Sequence, residues 1–437
     1  MTLILFVVTI GIASLSEASA ANGEVHVIVY LADGRVIRVD PQTGQHVLLF
    51  SDAHTGHAQA SRVQVSAVGT VAYVAREGDH ADHLYVWHNG VMSSFSSRDF
   101  TFGHVIWDEQ GWRLQRDTLA SYPPFVLSPD GRYVVRYFND TIDLLPGSSS
   151  GYPETQIVQF SLGILDTSTN SFKTIRIDTL RTDGYDADQQ IVRRVTGWSR
   201  ANPEWLYVQE VQEDHQMGHD AMSGLWAVNV VSGLTRPIPG KVDIILDVAP
   251  NDSLIAHTPV DDTCCAGINY SSNDLILYSL ASDANITLFS EYERYHNIDQ
   301  AEEHAPINAA FSPDAHWIAA TIDELIVYGA ASNNPGEFGD PDSTSYTGRY
   351  LWLKNLRDGV EKSFKNREFI GWIDSQHALV RSYEAHFEKV DGGPSKRIEN
   401  RGEPMLLEIH TGTEAPLFAG GTPGEIQMLH IAWVDRK

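Results

Sequence analysis

Histidines and carboxylates gather in short polar stretches of this 437-residue chain. Asp79, His80 and His83 share one stretch, and His215 and His219 lie beside Asp214 and Asp220 in another. Neutral imidazole with carboxylate is a normal ligand set for zinc, manganese or iron. None of these pairs has a diagnostic spacing, so solvated polar loops account for the same residues. Asp261, Asp262, Cys264 and Cys265 form a second cluster. The adjacent cysteines could close a small ring disulfide in an oxidising compartment, making a rigid apolar bump that floors a ligand pocket. A plain turn carrying two thiols is the alternative. Trp107 and Trp112 fall in an irregular stretch, 98–121, and are candidate binding aromatics.

Other chemistries find no anchor. The sequence contains no phosphate loop, no Gly-x-Gly-x-x-Gly opening a helix and no His-Glu-x-x-His. Gly197-Trp198-Ser199-Arg200-Ala201 lacks the last glycine of a nucleophile elbow. Lys and Arg total 31 against 57 Asp and Glu, a formal charge of −26. That balance argues against nucleic acid and against anionic membrane surfaces, both of which need clustered cations. Residues 3–15 are apolar, and Ala18-Ser19-Ala20 fits a small-x-small cleavage site, so residues 1–20 read as a signal peptide. The expectation is a secreted or periplasmic protein with one domain over 24–437 and no transmembrane segment in the mature chain. Cys264 and Cys265, the only cysteines, cannot staple distant segments, so packing and strand pairing must hold the fold.

The elements that position these residues are announced by a recurring phrase. Ser128-Pro129-Asp130-Gly131 precedes the apolar run 132–137, and Ser312-Pro313-Asp314-Ala315 precedes 316–321. Looser copies start at Ser199, Ala249 and Ile373. A spacing of roughly 50–70 residues is that of propeller blades with insertions. Short apolar runs bounded by Gly, Asp, Pro and Ser read as strands, and no amphipathic helix stands out. The expected fold is therefore all-β: a β-propeller of four-stranded blades, a to d. Segments 25–31, 35–39 and 45–50 lack a strand a before them, and 425–434 is a lone strand. Joining the two closes the ring and removes two sheet edges. The count is then seven; another reading of 98–121 would make it six or eight.

The tight turns are a–b and c–d turns, which share one face of an up-and-down blade. The long insertions are b–c or d–a: 77–83, 138–155, 212–223, 259–273, 324–348 and 383–403 for the former, 98–121 and 178–193 among the latter. Long loops on a rigid scaffold are where function tends to sit. The candidate site, histidines included, is expected on that face.

The Ser-Pro-Asp-Gly turn, and the strands Leu225-Trp226 to Gly233 and Leu351-Trp352 to Gly359, resemble the TolB-type or WD40-like propeller repeat. The same repeat builds the propeller half of prolyl-oligopeptidase-type peptidases, whose peptidase domain has no counterpart here. The resemblance implies the fold; activities in such families range from protein and sugar binding to lyase chemistry. The leading reading is an exported, non-catalytic propeller that binds a protein, peptide or glycan on its long-loop face. The alternative is a metal-dependent lyase or hydrolase, with a divalent metal as its cofactor at the channel mouth. A third is a structural subunit of an envelope complex. Metal analysis of protein purified without chelator separates them. The binding reading predicts no stoichiometric metal. Stoichiometric metal that disappears in His80→Ala and His215→Ala would contradict it.

Overall fold

The computed structural model describes residues 24–51, 63–76, 82–96, 101–108, 111–118, 125–146, 153–183, 189–214, 219–261, 270–271, 274–290, 295–297, 300–328, 344–388 and 396–434. The candidate leader, 1–20, lies outside them. The described residues form strands and turns without a helix. Correspondingly, no helix among them is long and apolar enough to cross a membrane.

Seven antiparallel four-stranded blades follow one another along the chain, each ordered a-b-c-d. Blade 2 is Val63–Val65, Val71–Arg76, Asp82–His88 and Val91–Ser96. Blade 3 is Phe125–Leu127, Tyr133–Pro146, Pro153–Asp166 and Ser171–Asp183. Blade 4 is Gln189–Trp198, Trp205–Asp214, His219–Asn229 and Thr235–Ile238. Blade 5 is Ile244–Val248, Leu254–Thr258, Leu275–Ser279 and Ala284–Phe289. Blade 6 is Gln300–Phe311, Trp317–Tyr328, Thr344–Asn355 and Glu361–Lys365, with Tyr295–Asn297 added beside its first strand. Blade 7 is Arg367–Trp372, His377–Glu388, Lys396–Glu408 and Glu414–Pro416. Blade 1 takes strands b, c and d from Glu24–Leu31, Arg35–Val39 and His46–Ser51, and strand a from Ile426–Val434. The closing pair runs antiparallel from Glu24↔Val434 to Leu31↔Ile426. The expected ring closure is thus present, and the count is seven.

Each blade buries both faces, which is why its middle strands read as continuous apolar runs. Along strand b of blade 1, Val27, Val29 and Leu31 pack with blade 7, while Ile28 and Tyr30 pack with blade 2. Along strand b of blade 6, Ile318, Ala320 and Ile322 face blade 5, and Trp317 and Ala319 face blade 7. Alternate side chains of a strand point to opposite faces, so one run serves two interfaces. Each of the seven blade junctions around the ring holds its own apolar cluster. Trp198, Trp352 and Trp372 are buried within these clusters.

The recurring phrase is a hydrogen-bonded turn. The Ser128 hydroxyl accepts the N–H of Tyr133 at 2.8 Å and donates to Asp130 at 2.5 Å, and Asp130 also accepts the N–H of Arg132. Blade 6 repeats this with Ser312, Trp317 and Asp314 at 2.9 and 2.6 Å. Both serines are fully buried. Gly131 has a positive φ of 67°, and a Cβ there would sit 2.2 Å from the Thr70 hydroxyl of blade 2. The looser copy at Ser199 has no aspartate of its own. Asp252, from the turn of blade 5, supplies the carboxylate, accepting from the Ser199 hydroxyl and, at 2.8 Å, from the Arg200 N–H. The phrase therefore ties strand a to strand b within a blade, and in one place ties blade to blade.

The structure differs from the sequence reading in the insertions. Where they are described, most of the expected long loops are paired strands. In blade 3 the b–c pairing runs to Pro146↔Pro153. In blade 4 it runs to Asp214↔His219, and in blade 7 to Glu388↔Lys396. In blade 6 it reaches Val327↔Thr344. The irregular stretch 98–121 contains a hairpin, Thr101–Asp108 with Gly111–Thr118. These segments mix apolar residues with Asp, Glu, Asn, Gly and Pro, which is why they read as loops. Backbone pairing alone is enough to satisfy their N–H and C=O groups.

Removing the buried serine hydroxyl tests the turn. Ser312→Ala strips the Trp317 N–H of its acceptor and should cost about 1–3 kcal/mol. Denaturant titration checks this; an unchanged midpoint would show that the turn does not depend on the hydroxyl.

Candidate functional site

Antiparallel order places all b–c ends and d–a crossings on one face, opposite the tight turns. Paired ribbons from blades 3, 4, 6 and 7 therefore leave the ring on the same side. Their roots hold buried charge. Arg349, on strand c of blade 6, is 5 % exposed and meets Asp323 of strand b in a two-pronged pair, at 2.5 Å through Nε and 2.9 Å through Nη2. Its Nη1 donates to Glu368, on strand a of blade 7, at 2.9 Å. Its guanidinium lies 3.7 Å from the ring centre of the buried Tyr383, on strand b of blade 7. Glu368 also pairs with Arg381 and, at 3.4 Å, with Arg401. Burial works against the charge of Arg349. Its hydrogen bonds to Asp323, with the fields of Asp323, Tyr383 and Glu368, outweigh that and raise its pKa. The network couples both ribbon strands of blade 6 to those of blade 7.

A second root lies between blades 3 and 4. Arg193 is 3 % exposed and pairs with Asp178 of blade 3 at 2.8 Å and with Glu210 of blade 4 at 3.3 Å. It sits 4.9 Å over the ring of Trp226. Arg193 is thus a buried tie between blades. Sequence reading missed Arg349, Glu368 and Tyr383. The legible signal was a charged residue on an otherwise apolar strand, which alone does not reveal its partner.

The expected site residues are only partly brought together. His83 is the second residue of strand c of blade 2, opposite Ala75, with its ring 6.2 Å from that of Tyr85. His219 opens strand c of blade 4, opposite Asp214. Both positions lie on the ribbon face, in blades separated by blade 3. Asp79, His80 and His215 lie outside the described residues. Among the described residues no three His, Cys, Asp or Glu side chains are grouped to hold a metal ion. Asp261 ends a short strand, Val260–Asp261, paired with Tyr270–Ser271 between strands b and c of blade 5. Asp262, Cys264 and Cys265 lie outside the described residues. Trp107 and Trp112 stand at directly opposed positions beside the turn of the hairpin before blade 3.

The charge tie at the blade 6–7 root is testable. Glu368→Ala leaves Arg349 and Arg381 without a shared carboxylate in a buried setting, and loss of one partner of such a cluster should cost about 3–5 kcal/mol. Denaturant unfolding measures it; a change below about 1 kcal/mol would mean solvent already compensates the arginines.

No protein-family model matches the chain, and no curated protein matches its sequence. Solved structures do resemble it. A proposed 6-phosphogluconolactonase from Bacteroides fragilis aligns over 94% of this chain and 98% of its own, at 11% identity and a TM-score of 0.38. The acylaminoacyl peptidase of Pyrococcus horikoshii aligns over 88% of this chain at 9% identity and a TM-score of 0.39; the chain spans 47% of that protein's length. The WD40 domain of SCAP from fission yeast aligns over 82% of this chain and 86% of its own, at 8% identity and a TM-score of 0.33. Likenesses this distant transfer no site. The blades themselves identify the chain as a seven-bladed β-propeller repeat protein.

Proposed function

We propose that the chain is an exported, non-catalytic binding propeller that takes a protein, peptide or glycan on its ribbon face. The observation that carries this reading is the asymmetry of the two faces. One face has turns of a few residues, such as Asp40–Gln45 and Ser312–Trp317. The other extends paired strands from four blades, with their roots locked by Arg349 and Arg193. Paired strands offer a partner a preordered surface, which lowers the entropy lost on binding relative to floppy loops. Acidic side chains recur along these ribbons, among them Asp140, Asp143, Glu213, Asp214 and Asp220. Their field favours a partner with basic groups and disfavours a polyanion. Export rests on the apolar leader at 3–15 alone.

Shortening one ribbon tests this. Residues 213–220 of blade 4 can be replaced by Asn-Gly, a two-residue hairpin turn. Wild type and variant are then compared on a peptide array and a glycan array, with circular dichroism as the control for folding. The reading expects the fold to persist and the ligands bound by wild type to be lost or weakened about tenfold or more. Ligands that bind equally well after each of the four ribbons is shortened in turn would overturn it.

A further inference from the structure

On the opposite face, at the seam between blades 7 and 1, lies a cavity of about 550 Å³. Its volume falls in the range of small-molecule sites, roughly 300–1,000 Å³. Blade 1 contributes His26 from the start of strand b, Arg38 from strand c, and Asp40 and His46 from either end of the c–d turn. Blade 7 contributes Asp374 and His377 from its a–b turn.

The two carboxylates in this lining are used by their own turns. Asp40 accepts the Gln42 N–H at 2.8 Å and the Thr43 hydroxyl at 2.8 Å. Asp374 accepts the N–H groups of Gln376 and His377 at 2.7 and 2.8 Å, and its two oxygens lie 3.0 and 2.9 Å from Nδ1 of His377. The cations are placed differently. Among the described residues no carboxylate or carbonyl pairs with the guanidinium of half-buried Arg38. His46 makes an edge contact with Phe418. In a chain with a formal charge of −26, an arginine in a cavity without a carboxylate on it is out of keeping with its surroundings.

From this geometry we infer a second, independent binding site: the seam cavity takes a small molecule through one oxyanion group, a carboxylate or a phosphate monoester. Arg38 makes the charge-assisted contact, and His46 donates beside it. A guanidinium presents paired N–H donors that match either oxyanion. The chain's formal charge of −26 disfavours extended polyanions, so the ligand is one small enough to fit inside the cavity.

Calorimetric titration of the full chain with inorganic phosphate, and separately with succinate, at near-neutral pH and constant ionic strength set by chloride, tests the site. Saturable binding of either probe is expected, and which probe binds tells the two oxyanion classes apart. Arg38→Gln should weaken that binding at least about tenfold, the worth of a charge-assisted contact, and Arg38→Lys should recover part of it. Should Arg38→Gln fail to fold, His46→Gln decides, with a loss of several-fold expected. Failure of both probes to saturate, or equal binding by wild type and folded Arg38→Gln, overturns the site.

Discussion

The antiparallel pairing of Ile426–Val434 with Glu24–Leu31 is the constraint on which the rest of the structure depends. Every blade has two apolar faces, and each face is covered only because another blade follows. In an open row the outer faces of blades 7 and 1 would be bare. The closing strand brings Leu429 and Ile431 against blade 7 and Met428 against blade 2, so it completes two junctions at once. No covalent link does this work, since Cys264 and Cys265 are neighbours in sequence. Bringing ends some 400 residues apart together costs only slowly growing entropy, because loop closure scales with the logarithm of length.

Closure also assigns roles to the two faces. The a–b and c–d turns are short and filled with internal hydrogen bonds, as at Ser128, Ser312 and Asn229. They hold the blades in register and have no chain to spare. The opposite ends are free to lengthen without disturbing a junction, and there the strands run on as ribbons. Buried charge appears where those ribbons begin. Arg349 with Asp323 and Glu368, and Arg193 with Asp178 and Glu210, each cross a blade junction. Apolar packing is non-directional, whereas a two-pronged arginine pair fixes an angle. These ties set the direction in which the ribbons project.

Much of the fold was legible in the sequence because blade strands obey local rules. The Ser-Pro-Asp-Gly phrase marks a turn whose hydrogen bonds lie within six residues, and the apolar runs mark strands that bury both faces. The closing strand was legible too, as an unpaired strand at one end and a blade one strand short at the other. The ribbons were not. Residues such as those of Tyr133–Pro146 pass from an apolar run into Asn139, Asp140 and Asp143, a composition shared by loops and by solvated paired strands. The buried ties were equally hidden, because Arg349 and Glu368 come from different blades and nothing local announces their meeting. The borrowed carboxylate of Asp252 at Ser199 makes the same point: a motif can be completed from the next blade. Of the candidate site, the face from which the ribbons project was legible, while the convergence of particular side chains was a tertiary matter.

Hydrogen exchange across a denaturant series addresses ring closure most directly. If the closing pair holds the ring, amides of Ile426–Val434 exchange as slowly as those of Val27–Tyr30 and with the same denaturant dependence as the central strands of blades 3 and 6, because opening is global. Rapid exchange of Ile426–Val434 with little denaturant dependence, while those central strands stay protected, would show that the ring stands without its closing strand and would contradict the account.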